Sequence, residues 1–261
     1  MANTIADKLT YLNGTKDAIK QAIIGKGIDV TDTDTFRSYA SKIEAIQAGG
    51  GGGTGSLVTG TKLAYSTFST IPDEYISHLE QQTDLSYMFS DCRNLKTVPL
   101  FDTNRAIDME YMFYFCKSLT KVPQLDTSNV TNMNHMFSDC RKITTVPQFN
   151  TSKTTNMESM FYYCQALKTV PLLDTSKVND MSYMFSGCTS LINLGGFTDL
   201  KQNLDLSSSP LSTNSVMNVI NNAKDMTSSP RTLTLRQDVF NKLSKEQITT
   251  ASAKGWNIAA A

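Results

Sequence analysis

Apolar positions recur along most of this chain at a fixed interval. The columns at 109, 112, 113, 116, 119, 122 and 125 hold Met, Met, Phe, Cys, Leu, Val and Leu. A step of 24 residues later stand Met133, Met136, Phe137, Cys140, Ile143, Val146 and Phe149. The phrase LSYMFSDC (85–92) returns as MEYMFYFC, MNHMFSDC, MESMFYYC and MSYMFSGC, each closed by a cysteine: Cys92, Cys116, Cys140, Cys164 and Cys188. A constant period of this length means one supersecondary unit stacked on copies of itself. The first four columns, at i, i+3, i+4 and i+7, predict one face of a two-turn helix in every repeat. Asp84, Asp108, Asn132, Asn156 and Asp180 stand just before that face as predicted N-caps. The run Leu95 to Pro99 and its copies predict a short strand. Pro99, Pro123, Pro147 and Pro171 sit where the strand's hydrogen bonding should stop, because proline has no donor. Asp126-Thr127-Ser128, Asn150-Thr151-Ser152 and Asp174-Thr175-Ser176 predict tight turns. The expected fold class is therefore α/β: a short solenoid of five 24-residue repeats over 85–197, each a strand, a turn and a short helix in parallel.

The flanks break the period. Residues 1–48 carry an apolar stripe of Ile5, Leu9, Leu12, Ile19 and Ile23, then Phe36, Tyr39, Ile43 and Ile46 after a possible cap at Thr33 or Asp34, which predicts a small helical head. Helices this short are marginal alone in water, so the head is expected to self-associate or to dock on another protein. Residues 49–56, GGGGGTGS, form a glycine-rich linker. Residues 57–84, with Phe68, Ile71, Pro72 and Ile76, are expected to cap the first repeat. Residues 198–261 predict strand–helix–strand–helix–strand as a C-terminal cap. Its marks are Leu204-Asp205-Leu206, a helix capped by Ser212 with Val216, Val219 and Ile220, Thr232–Leu235, a capping box from Ser244 to Gln247, a stop at Lys254-Gly255, and a last strand from Trp256.

Charge narrows the function classes. Lys plus Arg equals Asp plus Glu at 24 each, which leaves no electrostatic footprint for nucleic acid or anionic lipid. No apolar run approaches the ~20 residues of a membrane span. The first residues lack a basic segment followed by an apolar one, so no secretory signal is read there. Five cysteines, odd in number and all in one column, predict buried free thiols rather than disulfides. A metal site needs ligands converging on one point, which a 24-residue spacing does not provide. His135 lies off the apolar columns and is read as a solvated surface residue. No nucleophile or phosphate-loop motif is present, and each repeat's Asp is accounted for as a cap or turn residue. The expectation is a binding protein, not an enzyme, with no metal and no cofactor.

Two sets of side chains lie outside the apolar columns. Tyr87, Tyr111, Tyr114, Phe115, Tyr162, Tyr163 and Tyr183 would line up as an aromatic surface, either packed between neighbouring repeats or open to a sugar or a partner. On the strand side Thr97, Lys121, Thr145 and Thr169, with Gln124 and Gln148, make a largely uncharged polar strip suited to hydrogen-bonding a glycan.

The phrase LDTSNVTNMNHMFSDC (125–140) resembles the BspA-like leucine-rich repeat, or DUF285, of bacterial surface proteins, over roughly 84–197. The tail resembles the segment that often follows such repeats. The head and its glycines resemble the N-terminal module of phage tail-fibre or baseplate proteins, which implies that a self-associating head would form a trimer. Together the resemblances imply a non-enzymatic, tail-associated adhesion protein that binds a host-surface glycan or protein. It would join other virion proteins through residues 1–48, be made in the host cytoplasm and reside in the virion tail. The alternative is a bacterial cell-surface adhesin, although that family's adhesins carry a signal and an anchor not read here. A glycan-cleaving enzyme is the least favoured reading.

Overall fold

The structure, a computed structural model, describes residues 63–261 apart from 65, 67 and 72–74. The expected helical head, its trimer, the glycine-rich linker and Pro72 lie outside the described residues.

The 24-residue period is a structural period. Asp84, Asp108, Asn132, Asn156 and Asp180 bridge in parallel, each to the next in the series, and Thr97 bridges Lys121 as Thr145 bridges Thr169. Where the bridging is continuous it becomes strands: β1 (Thr169–Val170) pairs with β3 (Asn193–Leu194), and β2 (Leu173–Asp174) with β4 (Phe197–Thr198), all in parallel. Pro171 falls between β1 and β2, where the expected break in pairing occurs. Each repeat is thus one rung of a parallel stack.

The expected two-turn helix is replaced by a string of tight turns. Residues 109–116 and their counterparts contain no helix, and the chain is left-handed at Tyr87, Tyr111, His135, Ser159 and Tyr183 and again at Asp91, Phe115, Asp139 and Tyr163 (φ from 52° to 63°). A left-handed L-residue costs roughly 1–2 kcal/mol and ends a right-handed helix. Backbone pairing between rungs offsets that cost. The amides of Tyr87, Asp91, Tyr111, Phe115, His135, Asp139, Ser159 and Tyr163 each donate to a carbonyl of the next rung, at 2.6–2.9 Å. Phe89, Phe113, Phe137 and Phe161 do the same at 2.9–3.0 Å, while the residues that alternate with these, Met112, Tyr114 and Cys116 for example, donate three residues back. The apolar spacing survives because two successive four-residue turns also point i, i+3, i+4 and i+7 inward. The residues read as N-caps have no helix to cap and make Asx turns instead: Oδ1 of Asp84, Asp108, Asn132, Asn156 and Asp180 accepts the amide two residues on, at 2.8–3.1 Å.

The interior is built from ladders of like residues. Phe89, Phe113, Phe137, Phe161 and Phe185 are fully buried and stack with centroids 5.4, 5.4, 5.8 and 5.6 Å apart. Buried Thr103, Thr127, Thr151 and Thr175 each donate their hydroxyl to a next-rung carbonyl at 2.9 Å. Cys116, Cys140, Cys164 and Cys188 donate their thiols to the carbonyls of Phe89, Phe113, Phe137 and Phe161 in the rung before, at 3.0–3.1 Å. All five cysteines are free and buried, as the sequence predicts. Burial pushes the thiols of Cys116, Cys140 and Cys164 well above their ordinary value, and that of Cys188 up to about 12. They are therefore expected to be unreactive toward a thiol reagent at pH 8 in the native state and all titratable after denaturation. Five fast native thiols would show that the column does not sit in the core.

Both ends of the stack are covered. On the N-terminal side the amide of Leu63 donates to Met88 and that of Lys96 to Ser69. Ile71 and Tyr75 are buried, and Phe68 and Ile76 of α1 (Ile76–Leu79) pack on the core. On the C-terminal side β5 (Leu204–Leu206), β6 (Arg231–Leu235) and β7 (Trp256–Ala260) form a parallel sheet in that order. Helix α2 (Thr213–Asn222) starts at Ser212, whose side chain accepts the Ser215 amide and which buries Val216, Val219 and Ile220. After the short α3 (Gln237–Phe240), α4 (Lys245–Ala253) starts on the Ser244–Gln247 capping box. The strands β5 to β7 and helices α2 and α4 stand where the sequence places them, whereas the short α1 and α3 are not expected from it. The described residues thus mix helix and small parallel sheets, with no closed barrel.

Candidate binding surface

The rung-to-rung pairing arrays the polar strip. Thr97 and Lys121 are bridging partners, as are Thr145 and Thr169, and all but the half-buried Thr169 are exposed. Three residues along, Gln124 and Gln148 form an amide ladder. Gln124 Nε2 donates to the Gln148 carbonyl and Gln148 Nε2 to the Leu172 carbonyl, both at 2.7 Å. Exposed Leu100 and Leu172 occupy the same column one rung to either side, an apolar feature missed in the sequence although the 24-residue spacing carries it. Beside this ladder runs a groove of about 580 Å³ with Asp126, Asn150 and Asp174 among its lining residues. The sequence reading assigned these three only to turns. They do make the turns, accepting the amides of Ser128, Ser152 and Ser176 at 2.9–3.2 Å.

The aromatic set divides. Tyr87 stacks on Tyr111 at 4.8 Å and 8°, and Tyr111 stacks on His135 at 4.5 Å and 9°. Tyr114 meets Tyr111 edge-on at 5.1 Å and lies 4.6 Å from Phe115. Lys117 Nζ sits 4.5 Å over the Phe115 ring, with the Arg93 guanidinium 5.9 Å away. Tyr162 and Tyr163 contact each other at 4.7 Å, and Tyr163 lies against the bare α-carbon of Gly187. Tyr183 stands apart, 67% exposed. Both faces of the Tyr111 ring are covered by its neighbours, so the middle of this ladder offers edges and hydroxyls rather than stacking platforms. Packing between rungs accounts for Tyr111 and Tyr114. Tyr87, at the end of the ladder, and Tyr163 and Tyr183 retain exposed ring surface.

His135 differs from its reading as a solvated residue. It is half-buried in the Tyr ladder, and its Nδ1 is enclosed without a hydrogen-bond partner. Burial lowers its pKa, against the opposing pull of Glu158 and Glu110. The unfolded chain therefore takes up this proton near the ordinary value of 6.5, and the folded chain only at lower pH. Between those two values the unfolded state binds more protons, so stability is complete above about 6.5 and falls as pH drops through the window. His135→Tyr, which continues the ladder with a ring that stays neutral there, is expected to flatten stability against pH in that window. Urea midpoints measured across it check this, and an unchanged slope would assign the dependence to other groups.

Arg93 pairs with Asp91 at 2.6 Å and Arg141 with Asp139, which fixes the exposed ends of two rungs. Among the described residues no group of three or more His, Cys, Asp or Glu is placed to hold a metal ion, and no helix is long and apolar enough to cross a membrane. No curated protein and no solved structure matches the chain. Residues 83–197, the rungs that carry the ladders and the groove, match the family described as Mycoplasma protein of unknown function, DUF285.

Proposed function

We propose that the repeats form a leucine-rich-repeat solenoid serving as an adhesion or receptor-binding surface for a host-surface glycan, in a phage or prophage tail-associated protein. One observation supports this most directly. Parallel backbone bridges hold hydrogen-bonding side chains, the exposed Thr97, Lys121 and Thr145 and the half-buried Thr169, beside exposed Gln124 and Gln148, in columns repeated at the rung spacing. A regular row of this kind suits a polymer with a regular row of hydroxyls. Residues 1–48, through their resemblance to tail-fibre modules, would join the chain to other virion proteins. The family match over 83–197 equally favours a second reading, a bacterial cell-surface adhesin with the same glycan-binding repeats.

The full chain is expected to bind a subset of an array of bacterial surface glycans. Replacing Thr145 and Thr169 together with arginine should abolish binding without lowering the melting temperature. An array on which the full chain binds no glycan would overturn the reading. Immunogold labelling of tails or of cell envelopes decides between the two settings.

A further inference from the structure

The groove beside the Gln ladder has a one-sided chemistry. Of its lining residues, none is lysine, arginine or histidine, while Asp126 and Asp174 both carry charge. Neither carboxylate makes an ion pair among the described residues. Each accepts a turn amide and keeps further lone pairs open, since an ionised carboxylate has about four acceptor sites. The Ser128 amide and hydroxyl hold the Asp126 carboxyl below its usual range, so it remains ionised. The amides beside them are committed in the same sense. Gln148 spends both its hydrogens on the carbonyls of Leu172 and Phe149, and Gln124 spends one on Gln148, leaving both Oε1 atoms as acceptors. Exposed Leu172 adds an apolar wall. The groove therefore presents acceptors in a row with negative charge two rungs apart, about 9–10 Å at the usual strand spacing.

Such a surface is complementary to a ligand rich in donors and positively charged at intervals. Hydroxyls satisfy the uncharged acceptors and ammonium groups satisfy the carboxylates. We propose that the groove binds an oligosaccharide of amino sugars with free amines, seated along the Gln124–Gln148 ladder with its ammonium groups on Asp126 and Asp174. This rests on the glycan-binding reading above and names the glycan class. A basic peptide shares the charge but brings few hydroxyls for the amide acceptors between the carboxylates.

The chain supplies its own conservative variant. Asn150 occupies the same column and caps its turn as the aspartates do, so Asp126→Asn with Asp174→Asn keeps the turns and removes only the charge. The full chain is expected to bind glucosamine oligomers at least tenfold more tightly than N-acetylglucosamine oligomers of equal length, with a preference that weakens as salt is added. The double variant should melt with the wild type and lose the preference. Equal binding of the two oligomers, or a preference that survives in the double variant, overturns the assignment. Tighter binding of oligolysine with the same sensitivity replaces the sugar by a basic protein segment. If the array shows other glycans bound and indifferent to both substitutions, the glycan-binding reading stands and the groove assignment falls. If no glycan of any class binds, both fall.

Discussion

Phe137→Ala is expected to destabilise the protein by about 3–5 kcal/mol, the range for deleting a buried aromatic ring. Phe137 is fully buried in the middle of the stack. Its ring lies 5.4 Å from Phe113 at 8°, 5.8 Å from Phe161 at 4°, and 5.9 Å from Phe149. Its carbonyl also accepts the Cys164 thiol, so the backbone at this point is pinned to the next rung. Collapse of the neighbours into the vacated space would draw three rungs out of register at once. The cavity should therefore persist, and the cost lie toward the upper end. Tyr183→Ala, at an exposed site, is the control and should fall within about 0.5 kcal/mol. Urea denaturation of both variants measures the difference. A Phe137→Ala midpoint no lower than that of Tyr183→Ala would remove the phenylalanine column from the core.

Gly255→Ala is expected to cost more than about 3 kcal/mol, beyond the usual range for a single change. Gly255 lies after α4, left-handed at φ 77°, and its carbonyl accepts the Arg231 amide where β6 begins. A β-carbon there would stand 2.1 Å from the Met226 carbonyl carbon and 2.4 Å from the Thr227 nitrogen. Both are backbone atoms, and no rotamer relieves the overlap. The displaced segment also holds Trp256, whose indole Nε1 donates to the Lys224 carbonyl at 3.0 Å. Gly187 provides the comparison. Its φ is also 77°, but a β-carbon there first meets ring atoms of Tyr163, at 2.9 and 3.1 Å. Tyr163 is partly exposed and its ring can turn aside, so Gly187→Ala should cost mainly the left-handed strain, about 1–2 kcal/mol. Equal melting temperatures for the two variants would show that strain, not the collision with backbone, governs both sites.

Much of this architecture is local chemistry and so is written locally. Ser212, the Ser244–Gln247 box and Lys254-Gly255 each bind or release neighbours within a few residues, and the helices begin and end on them. The core columns were legible because inward-facing residues must repeat if rungs are to stack. The turn string was not. Met109, Met112, Phe113 and Cys116 point inward both in a two-turn helix and in two successive tight turns. The choice depends on whether the Tyr111 amide finds a carbonyl earlier in its own rung or that of Asn134 in the next. That is a competition between local and long-range hydrogen bonds, and only Asp91, Asp139 and Gly187 hint at left-handed backbone from residue type. The same limit applies to the surface. The shared column of Tyr87, Tyr111 and His135 could be counted from the sequence, yet the ladder that half-buries His135 needs the rung spacing. Asp126 and Asp174 were read as turn residues because one oxygen of each does make a turn. The remaining acceptor sites matter only once three rungs bring them to one groove.

The thiol, threonine and amide ladders share one property. Every donor on one rung is answered by a chemically equivalent acceptor on an adjacent rung: Cys140 by Phe113, Cys164 by Phe137, Thr127 by Asn150, Thr151 by Asp174. Interior rungs are therefore interchangeable, and an in-frame loss or gain of 24 residues leaves a seam of the same kind as those already present. Such a change would lengthen or shorten the molecule by whole rungs without unfolding it. Each such change would alter the number of threonines, glutamines and carboxylates offered in a row, by a whole rung at a time.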